Sequence, residues 1–235
     1  MSVGDWDSLM PEDVDRLTVE VLRTAWRARP EVRRVRVAGQ DAVVKDYGRG
    51  GSLFKRAILG SFLAQREAAA LRRAEGIANV PRLLSTPQPW TVVLNYIDAR
   101  CVTEVEEPDF GPEFFSRLEA LIARLHQRGI AHGDLEKLDN ILVTADGQPV
   151  LVDFAAAIMA GANPLAALVL PYIRDNDRRA VCKLKERVAP HLLTDEEREK
   201  LTARPSAERW FRGMRRYIRR PIKSLATGED QRAGG

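Results

Sequence analysis

The chain has 235 residues and a mass of 26.3 kDa, enough for one large domain or for two lobes sharing a cleft. A content of 45% hydrophobic and 30% charged residues is that of a folded globular protein and excludes global disorder. The net charge of +4 is too small to indicate a nucleic-acid partner, and two cysteines, Cys101 and Cys182, exclude a disulfide framework or a structural zinc and fit reduced thiols in a cytosol.

There are no internal repeats. Residues 1–31 form an acidic segment without the apolar core of a secretory leader. Within residues 1–20, Asp5, Asp7, Glu12, Asp13, Asp15 and Glu20 face Arg16 alone, and the 1–31 segment is expected to be a helical extension. From Val32 to Lys45, apolar and polar residues alternate and break at Gly39-Gln40, which predicts a β-hairpin. Ser61 to Ala74 is rich in Ala, Leu, Arg and Glu and stops near Gly76, as a helix does. Pro81–Leu84 and Trp90–Ile97 are predicted strands. Pro112 to Arg128 carries Phe114, Leu118, Leu121 and Leu125 at helical spacing, widened by Phe115 and Ile122, and ends at Gly129. Ile141 to Val152 is a second hairpin turning at Asp146-Gly147. Phe154 to Ile173 has no charge, but Gly161, Asn163, Pro164 and Pro171 argue for a buried or membrane-dipping loop over a spanning helix. Beyond residue 174 the pattern is helical. Strands early and helices late make an α+β, two-lobed molecule.

The block with the chemistry follows the long helix: His132-Gly-Asp134, then Asn140, then Asp153-Phe154-Ala155. A hairpin brings its outer ends together. Asn140 enters the second hairpin and Asp153 leaves it, so an amide oxygen and a carboxylate lie side by side as hard ligands suited to Mg²⁺. Asp134, on the entry loop, is placed to orient or deprotonate a hydroxyl.

This block resembles the catalytic loop H-x-D…N and the metal-binding D-F-G of the protein-kinase superfamily. The longer spacing between Asp134 and Asn140 is similar to that of small bacterial RIO-like and lipopolysaccharide (Kdo/heptose) kinases. The resemblance implies a kinase-like fold, a β-rich small lobe over 32–97 and a helical large lobe over 98–203, with ATP and Mg²⁺ as cofactors. It implies that Lys45 holds phosphates and pairs with Glu67, Glu75 being the solvated competitor at the helix end. It makes Asn95, Tyr96 and Ile97 the hinge at the adenine, Asp134 the catalytic residue, and Asn140 and Asp153 the metal ligands. His132 braces the loop, and Asp177 buttresses it from a following helix.

The departures are specific. Asp139, not Asn140, holds the usual metal-ligand spacing, but Ile-Leu-Val follows Asn140 into the hairpin. No glycine-rich loop precedes Lys45, and the hairpin tip offers only Gly39. Gly133 replaces the arginine beside the histidine, and Ala155 replaces the last glycine of D-F-G. Glu136 and Asp139 are expected to be exposed, and Cys182 to be a plain helix residue.

The expected reaction is γ-phosphoryl transfer to a hydroxyl, either of a protein serine or threonine or of a lipopolysaccharide-core sugar. Alternatives are a pseudokinase scaffold, a peripheral-membrane adaptor, and an aminoglycoside-type phosphotransferase. Residues 204–235 form a basic amphipathic segment and tail, with Trp210, Phe211, Met214, Tyr217 and Ile218 among arginines. Over 204–223 that pattern suits an anionic membrane surface or a helix packed on the large lobe. The expected location is the cytoplasm, free or on the inner face of the membrane, without nucleic acid.

Overall fold

The computed structural model describes residues 6–25, 29–49, 56–105, 110–162 and 164–202. The basic segment 204–223 and the tail lie outside them, so neither of its two readings meets a structural observation.

The small lobe is an antiparallel sheet in the order β1-β2-β3-β5-β4. Its strands are β1 (Thr18–Arg23), β2 (Glu31–Val37), β3 (Gln40–Asp46), β4 (Leu83–Ser85) and β5 (Thr91–Asn95). The β2–β3 hairpin matches the alternation in the sequence, with the turn at Ala38 and Gly39, both at positive φ (48° and 81°). That pair of left-handed residues suits a two-residue turn matched to the strand twist.

Strand parity sorts the side chains. Val35, Val37, Ala42, Val44 and Val93 face one side of the sheet and pack under Trp6, Leu9 and Val14. Val43, Lys45 and Tyr47 take the opposite parity, towards the large lobe. Helix α1 (Pro11–Leu17) covers the outer face and is clamped to it by Asp15, which accepts from Arg33 at 2.7 Å and from Arg49 at 2.6 Å.

The acidic extension is therefore helical only over α1. Thr18–Arg23 is a strand, paired antiparallel with β2 despite two register shifts. Thr18, Val19, Val21 and Leu22 are β-formers without the apolar alternation that marks a half-buried strand, because this is an edge strand with four of its six residues exposed.

Helix α2 (Ser61–Arg73) packs on the sheet through Ala64, Ala68, Ala70 and Leu71, whose small side chains let it approach closely. Helix α3 (Pro112–Gln127) buries Phe114, Phe115, Leu118, Leu121, Ile122 and Leu125, the whole stripe read from the sequence. Each such side chain stabilises the large lobe by about 1.5–3 kcal/mol. Around α3 lie a sheet of β6 (Ala99–Cys101), β8 (Ile141–Thr144) and β9 (Pro149–Leu151), and a ladder of β7 (Ile130–Ala131) with β10 (Ile158–Met159).

The uncharged stretch from Phe154 is not one loop. It contains a short 3₁₀ turn (Phe154–Ala156), β10, and the first half of helix α4 (Pro164–Val188), which runs on past Pro171. Ala166, Val169 and Leu170 turn inwards while Leu165 and Leu168 are exposed, so the apolar residues ring the helix rather than mark a loop. Among the described residues, no helix is long and apolar enough to cross a membrane. Helix α5 (Asp195–Thr202) closes the described chain, tied to α3 and α4 by Lys185, which lies 3.0 Å from Glu119 and 2.6 Å from Glu197.

Candidate active site

Lys45 and Glu67 meet from different elements. Lys45 lies on the inner face of β3, opposite Val32 of β2 and Val92 of β5. Glu67 is on the buried side of α2 and is fully buried. The Lys45 Nζ donates to Glu67 Oε1 at 2.5 Å. Glu67 also accepts from the Tyr47 hydroxyl at 2.5 Å and from the Phe154 N–H at 3.2 Å. A buried carboxylate with three donors meets the condition on which a buried ion pair is tolerated. Glu75 is exposed, as expected for the competitor.

The second hairpin also does what its sequence demands. Ile141 pairs with Leu151, and the Val152 N–H donates to the Asn140 carbonyl at 3.0 Å. Asn140 and Asp153 are thereby held at the same end. Asn140 is buried, and its amide nitrogen donates to the Asp134 carbonyl at 2.9 Å. Asp139 is exposed, whereas Asn140 is the one held at the open end of the hairpin with Asp153.

Asp153 adopts a left-handed backbone (φ 67°, ψ 68°), a conformation that costs a non-glycine residue free energy and that Asp tolerates better than most. Its Oδ1 lies 3.4 Å from Lys45 Nζ, and its Oδ2 lies 3.7 Å from an Arg23 nitrogen. Burial works to raise the Asp153 carboxyl, but the charges of Lys45 and Arg23 outweigh it and lower its pKa to about 2. Burial likewise opposes the charged Lys45, yet Asp153 and Glu67 overcome it and raise its pKa. Both groups are charged at neutral pH.

A stability prediction follows from the sign of the Asp153 shift. A depressed carboxyl contributes stability that is complete above its ordinary value of 3.8 and disappears as pH falls through about 2. Urea midpoints taken between about pH 5 and about pH 2 are expected to fall less for Asp153→Asn than for the unaltered chain. Equal falls would mean that the carboxylate is not held by these cations.

The loop before the hairpin is held from α4. Asp177 is 2% exposed, and its carboxylate accepts from the His132 N–H at 2.7 Å, the Gly133 N–H at 2.9 Å and the His126 ring at 3.0 Å. His132 Nε2 lies 2.9 Å from the Val152 carbonyl, which can only accept, so that nitrogen carries the hydrogen. The His132 ring packs against Phe154 with centroids 4.7 Å apart. His132 and Asp177 thus connect the loop, the hairpin and α4.

Gly133 has φ +76°, and a Cβ there would lie 3.0 Å from the Ala156 carbonyl oxygen. The backbone therefore requires glycine where the kinase pattern has arginine. Asp177→Ala would strip the buried N–H groups of their acceptor. A loss of about 3 kcal/mol in urea unfolding is expected, with Asp177→Asn losing less, because its remaining oxygen can still accept.

Some site residues escaped the sequence reading. Arg23 belongs to the strand that was read as helix. Tyr47 gives Glu67 its second partner and follows Lys45 by two, so strand parity was the available signal. Lys137 ion-pairs with Asp134, three residues away in the loop. Arg66, next to Glu67, donates to the carbonyls of Ala157 and Ala156 at 3.0 Å each and ties α2 to the segment after Asp153.

The predicted hinge links β5 to β6, between the lobes. Tyr96 lies under the Arg34 guanidinium, 4.1 Å from the ring centroid, and its N–H donates to the Asp41 carbonyl at 3.4 Å. The Asn95 side chain turns instead towards β4, its oxygen accepting from the Arg82 N–H at 2.5 Å. Ile97 is half-buried.

A family model described as the RIO domain matches residues 41–192. The chain belongs to the RIO domain family. That span of the RIO chain holds Lys45, Glu67, Asp134, Asn140, Asp153 and Asp177. Two solved structures of Rio2 kinase from Chaetomium thermophilum share its kinase-like α+β fold, each at 22% identity over 78% of this chain. The one solved as an ADP/Mg²⁺-phosphoaspartate complex matches with a TM-score of 0.59, the other with 0.58. This RIO chain covers 60% and 62% of their respective lengths. No curated protein matches it in sequence.

Two neutral-pH oxygen donors, Asn140 and the ionised Asp153, are a hard set suited to Mg²⁺ held jointly with phosphates. Among the described residues, no three His, Cys, Asp or Glu side chains converge as a metal cage. A site of this kind takes its remaining ligands from nucleotide and water.

Proposed function

We propose that this RIO-family chain is an ATP- and Mg²⁺-dependent kinase that transfers the γ-phosphoryl group to a hydroxyl, with a protein serine or threonine as the leading acceptor. The observation that carries the reading is the convergence of Lys45, Glu67 and Asp153 across the cleft: a lysine with a buried partner, 3.4 Å from an ionised carboxylate. A scaffold without turnover has no need to keep that charge set, so the pseudokinase reading is weaker.

In this reading Lys45 engages the nucleotide phosphates, and Glu67 fixes its direction. Asn140 and Asp153 would hold Mg²⁺, which supplies charge neutralisation on the phosphate oxygens. Asp134 orients the acceptor hydroxyl and takes its proton, while Lys137, already beside Asp134, adds positive charge near the transferred group. Residues 95–97 flank the adenine, with the Asn95 side chain and the Asn95 and Tyr96 N–H groups engaged within the small lobe. Catalysis of this type is mostly positioning and electrostatics, which a prearranged charge set supplies.

The sugar-hydroxyl reading loses one of its supports, because the uncharged stretch is partly a packed helix. Of its two other supports, the longer loop between Asp134 and Asn140 resembles that of RIO-like kinases equally, and the basic segment 204–223 lies outside the described residues. The test is label transfer from γ-labelled ATP with Mg²⁺, offered to the chain itself, a generic protein substrate and extracted lipopolysaccharide. Protein labelling is expected. Labelling of the glycolipid alone would move the acceptor to a sugar, and ATP binding without any transfer would favour the scaffold.

A further inference from the structure

Arg23 ends β1, at the mouth of the hairpin that leads into β2. It is paired with Val32, which is paired in turn with Lys45, so Arg23 and Lys45 stand in one row across the sheet. Directly opposed residues share a sheet face, and both side chains reach the same carboxylate. Lys45 faces one oxygen of Asp153 and Arg23 the other.

The Arg23 contact is an incomplete one. At 3.7 Å it is an ion pair without a hydrogen bond, and the buried Arg23 Nε has no hydrogen-bond partner among the described residues. A guanidinium carries several N–H donors in a fixed fork that matches phosphate oxygens, and here the fork lies beside Asp153 with its Nε unfilled among the described residues.

The connecting segment 24–30, Thr-Ala-Trp-Arg-Ala-Arg-Pro, contains no glycine. Close approach of bare backbone to a polyphosphate relies on glycine.

We propose that Arg23 is a phosphate-binding residue: it rests on Asp153 in the nucleotide-free cleft and transfers its guanidinium to the terminal phosphate oxygens when Mg·ATP enters. This inference rests on the nucleotide site proposed above. The exchange leaves one Asp153 oxygen open for the divalent cation, so Arg23 also competes with that cation when no nucleotide is bound.

The test is equilibrium binding by calorimetry of Mg·ATP and of adenosine to the full chain, together with Mn²⁺ alone followed by its electron paramagnetic resonance. The variants are Arg23→Ala and Arg23→Lys. Loss of one charge-assisted contact is expected to weaken Mg·ATP by about tenfold to a hundredfold in Arg23→Ala. Adenosine should be unchanged, Arg23→Lys should recover part of the loss, and Mn²⁺ alone should bind Arg23→Ala more tightly. Unchanged Mg·ATP affinity in Arg23→Ala would overturn the proposal, as would an equal loss of adenosine, which reports a displaced lobe. If the unaltered chain itself bound no Mg·ATP, the nucleotide site and this inference would fall together.

Discussion

Replacing Glu67 by Ala is expected to destabilise the chain by about 3 kcal/mol, the lower end for breaking a buried pair, because the buried ammonium keeps only Asp153, at 3.4 Å. Lys45 is 5% exposed and Glu67 is fully buried, so water cannot take over. The same change strips the Tyr47 hydroxyl and the Phe154 N–H of their acceptor. Chemical denaturation would measure the loss. The double replacement Lys45→Met with Glu67→Leu should lose much less than the sum of its two single changes, since it removes both charges of the pair at once, although the Tyr47 hydroxyl and the Phe154 N–H still lose their acceptor. Additive losses would show that the two groups do not depend on one another. Both variants should be poor kinases, for Lys45 is either misdirected or absent.

Asp134 is expected to behave in the opposite way. It is only partly buried, and its side-chain ion pair with Lys137 is a local contact in which the lysine is 43% exposed, so little stability rests on it. Its carbonyl, not its carboxylate, receives the Asn140 amide, and a substitution leaves that hydrogen bond in place. Asp134→Ala should therefore unfold at nearly the same denaturant concentration as the unaltered chain and still bind Mg·ATP. Phosphoryl transfer should drop by about 10²- to 10⁴-fold, the usual worth of a positioned general base. Retained transfer at the normal rate would remove Asp134 from the chemistry and direct attention to the exposed Asp139 and Glu136. Measured side by side, the Glu67 and Asp134 variants separate the side chain that builds the cleft from the one that works in it.

Local pattern carried much of the reading. The apolar stripe of α3 appeared residue by residue, because helical spacing and burial are linked by geometry alone. The alternation before Lys45 put that lysine on the inner face, and the Asp146-Gly147 turn brought Asn140 to Asp153. Each of these needs only neighbours in sequence. The shift of helix start from 174 to Pro164 had a local cause too: Pro164 is well placed at the first turn of α4, where its missing N–H is not needed. Gly161 and Asn163 broke the pattern just ahead of that start, and Pro171 suggested a break that tertiary contacts overrode.

What remained hidden depended on distant partners. Strand β1 has no alternation of its own, because an edge strand with exposed faces is selected by pairing with β2 rather than by burial. With β1 hidden, the arginine that reaches Asp153 from 130 positions earlier in the chain was hidden with it. Gly133 looked like a missing arginine until its positive φ and the nearby Ala156 carbonyl showed why glycine must stand there. Asn95 closes β5 just before the connection between the lobes, and its side-chain oxygen is taken by the Arg82 N–H ahead of β4. The sequence by itself determined most of the helices and paired strands, β1 and the first half of α4 excepted, and which polar residues flank one hairpin, since these follow from periodicity and turn chemistry. Only the tertiary structure decided which charges face one another, because an ion pair is set by distances across the cleft that no local spacing encodes.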